Sequence, residues 1–307
     1  MTTSMAEMAK RRDLPVWRSL LYVPANVPRF IEKAHTRGAD AILLDLEDSV
    51  PAGEKEAARG AVASAAAHVR QGAADVLVRV NRPLALCVRD IEASVCAEVD
   101  GIAITKVDGP SHVRLLDELV TELESERGLP LGKTRFLLMI ETPEAFEQMT
   151  DIARASPRVA AMNIGGEDFA LNGGFEPTDE ALLMPKQRMI LAARAAGVMP
   201  LGYIGTVADF SDWEKFRAMV RRSRQFGFDG ASCVHPGQVA IVNEEYGPRP
   251  DELAYAKRVI AAADQAQAEG RASFQLDGKM IDIPVIERAR RLLARQERVE
   301  ARAAARR

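Results

Sequence analysis

Eight short apolar runs recur along the chain, at residues 19–23, 41–47, 76–80, 101–106, 136–140, 159–164, 199–204 and 230–234. Each has strand length and ends in glycine, proline or charged residues. Between them lie Ala-, Glu- and Arg-rich stretches with helical patterning, such as 53–70, 111–127, 144–155, 180–196 and 211–226. Strands alternating with helices imply parallel βαβ units, because a parallel neighbour is reached only through a crossover. Eight such units are the number that closes a (β/α)8 TIM barrel, and 307 residues suffice for one. The rival is an open doubly wound sheet, which calls for a Gly-rich G-x-G-x-x-G turn after the first strand. The segment LYVPANVPRF has no such turn. We therefore expect an α/β protein with the barrel over residues 1–250, residues 1–16 forming a flexible leader, and a C-terminal lid and helical extension over 251–307. In that extension, residues 251–270 read as a helix ended by Gly270, and FQLDGKMIDIP reads as a hairpin turning at Asp277-Gly278. A final helix opens at Pro284.

Bulk properties narrow the function. Apolar residues make up 47% of the chain and charged residues 28%, enough for a large core. A net charge of −3 gives no electrostatic case for nucleic acid. Three cysteines, Cys87, Cys96 and Cys233, neither pair by count nor show metal-ligand spacing, and they suit a reducing compartment. The first residues lack the apolar core of a signal peptide and no run reaches membrane-spanning length, so a cytoplasmic protein without a membrane partner is expected.

Barrel chemistry sits at the carboxyl ends of the strands, and this chain places polar residues there repeatedly. The second run ends in Asp45-Leu46-Glu47-Asp48, with Asp45 and Glu47 on one face by the period of two. Arg79 and Asn81 share a face of the third, Lys106 ends the fourth, Glu141 ends the fifth, Asp168 follows the sixth across Gly-Gly, and His235 ends the eighth. Singly, each has a plainer reading. A carboxylate after a strand commonly caps a helix, as Glu144 and Glu147 are placed to do, and a lone arginine is commonly a solvated charge. Six strand ends carrying polar groups on one side of the sheet favour a joint site. Glu141 and Asp168 suit a hard divalent cation such as Mg²⁺, which takes one or two carboxylates and leaves positions for substrate oxygens. Such a cation can chelate an α-keto acid. Arg79 offers a planar fork to a second anionic oxygen, and Glu47 is placed to hold it. Together these groups describe reversible C–C cleavage with an enolate product.

The segments RSLLYVPANVPRFIEKA, AILLDLEDSVP, VRVNRP, IETPEAF, GGEDFALNGG and CVHPGQV, in this order, resemble the citrate lyase β-subunit-like branch of the HpcH/HpaI aldolase superfamily from about residue 18 to 295. The resemblance implies a TIM barrel, Mg²⁺ dependence and cleavage of 3-hydroxyacyl-CoA esters of the malyl-, citramalyl- or citryl-CoA type to a 2-oxo acid and an acyl-CoA. It implies that Glu141 and Asp168 bind the metal, that Arg79 binds substrate and steadies the enolate, and that Glu47 orients Arg79. It also implies that backbone amides around Gly166 hold the keto-acid carboxylate, and that Asp282 protonates the enolate from a neighbouring subunit's lid. Lys106 is expected among the substrate-binding groups, and the resemblance implies a homo-oligomer, a trimer or hexamer. Two departures stand out. Ala231 occupies a position where relatives carry lysine, and Leu201-Gly202 stands where they carry Ile-Asp. Three other readings remain: a citrate lyase β-subunit acting on carrier-protein thioesters, a class II aldolase acting on free hydroxy keto acids, and a non-catalytic barrel. The FQLDGKMIDIP lid argues against the first and the intact acid pair against the last.

Overall fold

The structure, a computed structural model, describes residues 14–205, 212–270 and 273–305. Most of the expected leader, residues 1–13, lies outside these; Leu14 packs against the core and Trp17 is buried. The chain forms two compact units that divide between Asn243 and Glu244, somewhat before the expected boundary at residue 250.

The first unit holds β1 (Ser19–Pro24), α1 (Pro28–Ala34), β2 (Ala41–Asp45), α2 (Lys55–Val69), β3 (Asp75–Val80), α3 (Leu84–Ser94), β4 (Gly101–Ile104) and α4 (Pro110–Glu126). These are followed by β5 (Arg135–Ile140), α5 (Pro143–Glu147), α6 (Met149–Arg154), β6 (Val159–Ile164), α7 (Gly166–Gly173), α8 (Asp179–Ala196), β7 (Met199–Pro200), α9 (Trp213–Phe226), β8 (Ala231–Cys233) and α10 (Gly237–Glu245). The eight strands form one parallel sheet in the order β7-β6-β5-β4-β3-β2-β1-β8, and the end strands meet at a bridge between Leu201 and Gly230. This is the expected (β/α)8 barrel. Alternate residues Leu20, Leu43, Leu77, Ala103, Leu137, Met139, Ala161 and Leu201 form one inner cluster. Their neighbours Ile42, Leu44, Val76, Val78, Ile102 and Ile104 are equally buried, as strands covered on both faces require.

Ion pairs tie the amino ends of the strands. Arg18, just before β1, grips Asp40, just before β2, at 2.8 Å. Arg158, just before β6, binds Asp117 at 2.5 Å and the fully buried Glu124 at 2.7 Å. Glu124 also accepts the Gly132 and Thr134 amides at 2.7 Å each. That end of the barrel is structural, which leaves the other end for chemistry.

Four runs are longer in sequence than as strands. β2 stops at Asp45, β4 at Ile104, β7 at Pro200 and β8 at Cys233. An apolar pattern continues past the point where the ladder ends, because residues at the mouth stay buried after leaving the sheet. The stretch 144–155 is two helices, interrupted at Gln148, whose backbone leaves the helical region at φ −106°, ψ 10°. The ninth helix starts at Trp213, capped by Asp212 accepting the Lys215 amide at 3.0 Å.

The second unit holds α11 (Pro250–Ala268), a hairpin of β9 (Phe274–Leu276) and β10 (Lys279–Ile281), and α12 (Ile283–Ala305). Asp277 and Gly278 turn the hairpin with φ of 51° and 73°, the left-handed pair that two-residue loops need. Ala256, Val259, Ile281 and Ala289 form its small core. The last helix starts at Ile283, so Pro284 takes the second position, where a missing N–H costs nothing. Among the described residues, no helix is long and apolar enough to cross a membrane.

Candidate active site

β2 and β3 pair in a register that sets Asp45 opposite Arg79. Both side chains point to the barrel mouth, and they meet as a fork: Arg79 Nε and Nη2 each donate to one Asp45 oxygen at 2.7 Å. Ser49 Oγ and the Glu47 amide also donate to Asp45, at 2.5 and 2.9 Å. Burial pushes the Asp45 carboxyl up, but the Arg79 fork outweighs it and the group sits below the usual carboxylate range. The remaining Arg79 nitrogen, Nη1, lies 2.7 Å from Glu47 Oε2. This contact is off the ideal hydrogen-bond direction, so that carboxylate oxygen has charge but no hydrogen bond. The Tyr22 ring covers the guanidinium at 4.9 Å. Burial pushes the Tyr22 phenol up to about 12, against the pull of Arg79, so it stays protonated. Burial opposes the Arg79 charge too, yet Asp45 and Glu47 keep it charged.

Glu141 leaves β5 into a buried position, 2% exposed. It lies against Gly165, where an added Cβ would run into its carboxylate, so only glycine permits this approach. The Lys106 backbone amide donates to Glu141 Oε2 at 2.6 Å. Burial pushes Glu141 up to about 7, with Lys106 working against it and Glu47 and Asp168 adding to it. Asp168 lies in the first turn of α7, whose amino end is Gly166, and the first amides of a helix have no intrahelical partner. Lys106 Nζ bridges the two halves, 2.9 Å from Glu47 Oε1 and 3.3 Å from Asp168 Oδ1.

Six expected residues therefore converge in the first unit: Glu47, Arg79, Lys106, Glu141, Gly166 and Asp168. Asp282 belongs to the second unit, where it precedes α12 and its Oδ1 accepts the Val285 amide at 3.3 Å. Of two further residues named from their strand-end positions, Asn81 is tied up in a turn and His235 lines the cavity beside Arg79. Asn81 is buried and donates to Asp90 at 2.6 Å and to the Leu46 carbonyl at 2.9 Å, so it locks the β3–α3 turn. His235 Nδ1 accepts the Gly237 amide at 3.1 Å, beside Trp213.

Sequence reasoning missed three features. Asp45 is the main partner of Arg79, a role assigned to Glu47; the signal was partly available, since both sit near the carboxyl ends of neighbouring runs. Tyr22 shares the inward parity of Leu20, which also pointed to it. A cavity of about 950 Å³ opens beside Arg79 and is lined by the apolar Tyr22, Phe30 and Val234 and the cationic Arg29, Lys33 and Arg37. Arg29 and Lys33, four residues apart, share one face of α1, and Arg37 follows in the short 3-10 turn His35–Arg37.

The site fits a divalent cation. Asp45, Glu47, Asp48, Glu141 and Asp168 meet the cations Arg79 and Lys106 there, so carboxylates outnumber cations at the mouth. Among the described residues no three His, Cys, Asp or Glu side chains cluster as ligands; Glu141 and Asp168 are two carboxylates that could hold such an ion, the number Mg²⁺ commonly takes from a protein.

This chain belongs to the HpcH/HpaI aldolase/citrate lyase family, whose description matches residues 18–236. The β subunit of citrate lyase from Leuconostoc mesenteroides subsp. cremoris is 34% identical over 90% of this chain and 92% of its own. Two proteins of Cereibacter sphaeroides are similar over nearly the same span. The L-malyl-CoA/β-methylmalyl-CoA lyase is 32% identical over 92% of this chain and 96% of its own, and the (3S)-malyl-CoA thioesterase is 35% identical over 93% and 96%. Among solved structures, CitE of Mycobacterium tuberculosis in complex with magnesium, acetoacetate and coenzyme A superposes with a TM-score of 0.73 at 28% identity, covering 94% of this chain and 99% of that one. The expectations of an enzyme, of the lyase class and of the citrate lyase β-like branch stand on these relationships.

Proposed function

We propose that this protein is a Mg²⁺-dependent CoA-ester lyase that cleaves a 3-hydroxyacyl-CoA to a 2-oxo acid and an acyl-CoA through an enolate. The observation that carries the reading is the Arg79 guanidinium, fixed by Asp45 between an acid cluster and a cavity rimmed by cations. Glu141 and Asp168 would hold the cation, which when bound supplies a Lewis acid for the hydroxyl and carboxylate of the substrate. Amides at the amino end of α7, from Gly166 on, bind the carboxylate that becomes that of the 2-oxo acid. As the C–C bond breaks, charge moves onto the thioester oxygen. Arg79 meets that charge without reorganising, because Asp45, Glu47 and the Tyr22 ring already hold it in place. Arg29, Lys33 and Arg37 present a cationic face suited to the phosphates of CoA. Asp282 serves as the acid that protonates the enolate carbon, donated across copies of the chain in a homo-oligomer.

The test is cleavage of malyl-CoA, citramalyl-CoA and citryl-CoA with Mg²⁺ present, with EDTA and Glu141→Ala as controls. The expected result is stoichiometric 2-oxo acid and acyl-CoA from one ester, lost in both controls. A second reading, thioester hydrolysis, is favoured by the 35% identical thioesterase, and release of free CoA thiol without a 2-oxo acid would establish it. Cleavage of a carrier-protein thioester alone would make the chain a citrate lyase β-subunit, and cleavage of free hydroxy keto acids an aldolase. Silence on every substrate by folded protein would overturn the assignment. Loss of activity in Asp282→Asn, restored by mixing with Glu141→Ala subunits, would establish the shared lid.

A further inference from the structure

Lys106 is a bulky residue in a backbone conformation that side chains rarely adopt, with φ of 45°. Four contacts hold it there. Its amide donates to Glu141 at 2.6 Å, its carbonyl accepts Arg82 Nε at 3.0 Å, and its ammonium lies 2.9 Å from Glu47 and 3.3 Å from Asp168. Strained residues fixed by so many partners are retained where the strain serves a purpose. Here the left-handed turn lets one residue reach both acids of the pair at once, Glu141 through its main chain and Asp168 through its side chain. An extended residue at this position would send its amide and its side chain in diverging directions.

We propose that Lys106 is an exchangeable internal counter-ion. Its ammonium holds Asp168 before a divalent cation arrives, and the cation enters by displacing it, leaving the ammonium on Glu47. The main-chain bond to Glu141 survives the exchange, because it occupies only one of that carboxylate's acceptor positions. The exchange rests on the reading of Glu141 and Asp168 as cation ligands. It makes Lys106 a positioning residue, and it has a consequence opposite to that of a residue that helps hold the metal: the charge of Lys106 weakens cation binding. Removing the positive charge that lies against Asp168, in a mouth open to water, would strengthen binding of a divalent ion there roughly tenfold.

The experiment uses Mn²⁺ alone as the probe, with free ion followed by electron paramagnetic resonance, on the full chain without substrate. Lys106→Met is expected to bind Mn²⁺ roughly tenfold more tightly than the wild type, and Lys106→Arg, which keeps the charge, is expected to match the wild type. Lys106→Gly tolerates the left-handed turn without strain and should bind as tightly as Lys106→Met, so it keeps the test valid if methionine perturbs the fold. Affinity unchanged or weaker in both neutral variants overturns the exchange while leaving the metal site standing. An arginine variant that binds as tightly as the neutral ones overturns it too, since the effect is then not one of charge. No binding by the wild type removes the metal reading and the exchange together.

Discussion

Glu141 is the residue whose replacement should separate stability from function most clearly. Burial lifts its carboxyl from the ordinary value of 4.5 to about 7 in the folded, metal-free protein. A carboxyl raised on folding contributes its full share of stability below its unfolded value, when it is neutral in both states. That share is lost as the pH climbs from about 4.5 to about 7, and the loss is constant above this window. The interval corresponds to roughly 3 kcal/mol at pH 8 and to less than about 1 kcal/mol at pH 5. Glu141→Gln keeps the shape and an acceptor for the Lys106 amide, and it carries no charge to desolvate. With EDTA present, the variant should therefore melt higher than the wild type at pH 8, by ~6–12 °C for a unit of this size. The gap should nearly close at pH 5. Added Mg²⁺ should raise the wild-type midpoint at pH 8 and leave the variant unmoved, while the variant loses lyase activity. Scanning calorimetry at the two pH values decides the matter. A gap of equal size at both, or a variant less stable at both, would refute an ionised carboxylate held at a cost for the sake of a cation.

Arg79→Lys replaces a fork with a point charge, so kcat should fall about 10²–10³-fold with Mn²⁺ affinity unchanged, since neither acid of the pair is touched; steady-state kinetics beside metal titration checks both. Gly165→Ala pushes a methyl group into the Glu141 carboxylate, and metal affinity should weaken at least about tenfold in a protein that stays folded by circular dichroism. Arg158→Met leaves Glu124 buried with its cation gone, which should cost about 3–5 kcal/mol in denaturant melts while kcat of the folded fraction stays at the wild-type level.

The fold was legible because a barrel strand is buried on both faces, and runs such as FLLMI and VAAMNI announce that burial whatever surrounds them. Where each strand stops was less legible. Thr105 is as buried as its neighbours but lies outside the strand, and burial, not hydrogen bonding, is what the apolar pattern records. The candidate site followed the same division. Glu141, Asp168, Glu47 and Arg79 occupy the ends of recognisable runs, and their meeting follows from closing the barrel. Asp45 lay within reach of the same reasoning, but position along one strand does not rank partners; the register between β2 and β3 does. Asn81 reads like Arg79 in parity and ends bonded to Asp90, a partner nine residues on that no periodicity selects. The left-handed turn at Lys106 has no sequence signal, because the residue type that usually marks such a turn is glycine.

The bridge between Leu201 and Gly230 is where the ring of strands is joined most sparsely, β7 having two residues and β8 three. Glu47, Arg79, Lys106, Glu141 and Asp168 hang from the arc β2 to β6, where each neighbour is laced by several rungs. Gly202 and Ala231, which lie in the two stretches read from the sequence as departures from the family pattern, flank the seam instead. Substitution there disturbs few main-chain bonds and leaves the ionic cluster untouched. A closed ring with one loosely sewn side lets a lineage retailor what the mouth admits while the reacting arc stays under purifying constraint, so divergence among members should gather along β7 and β8.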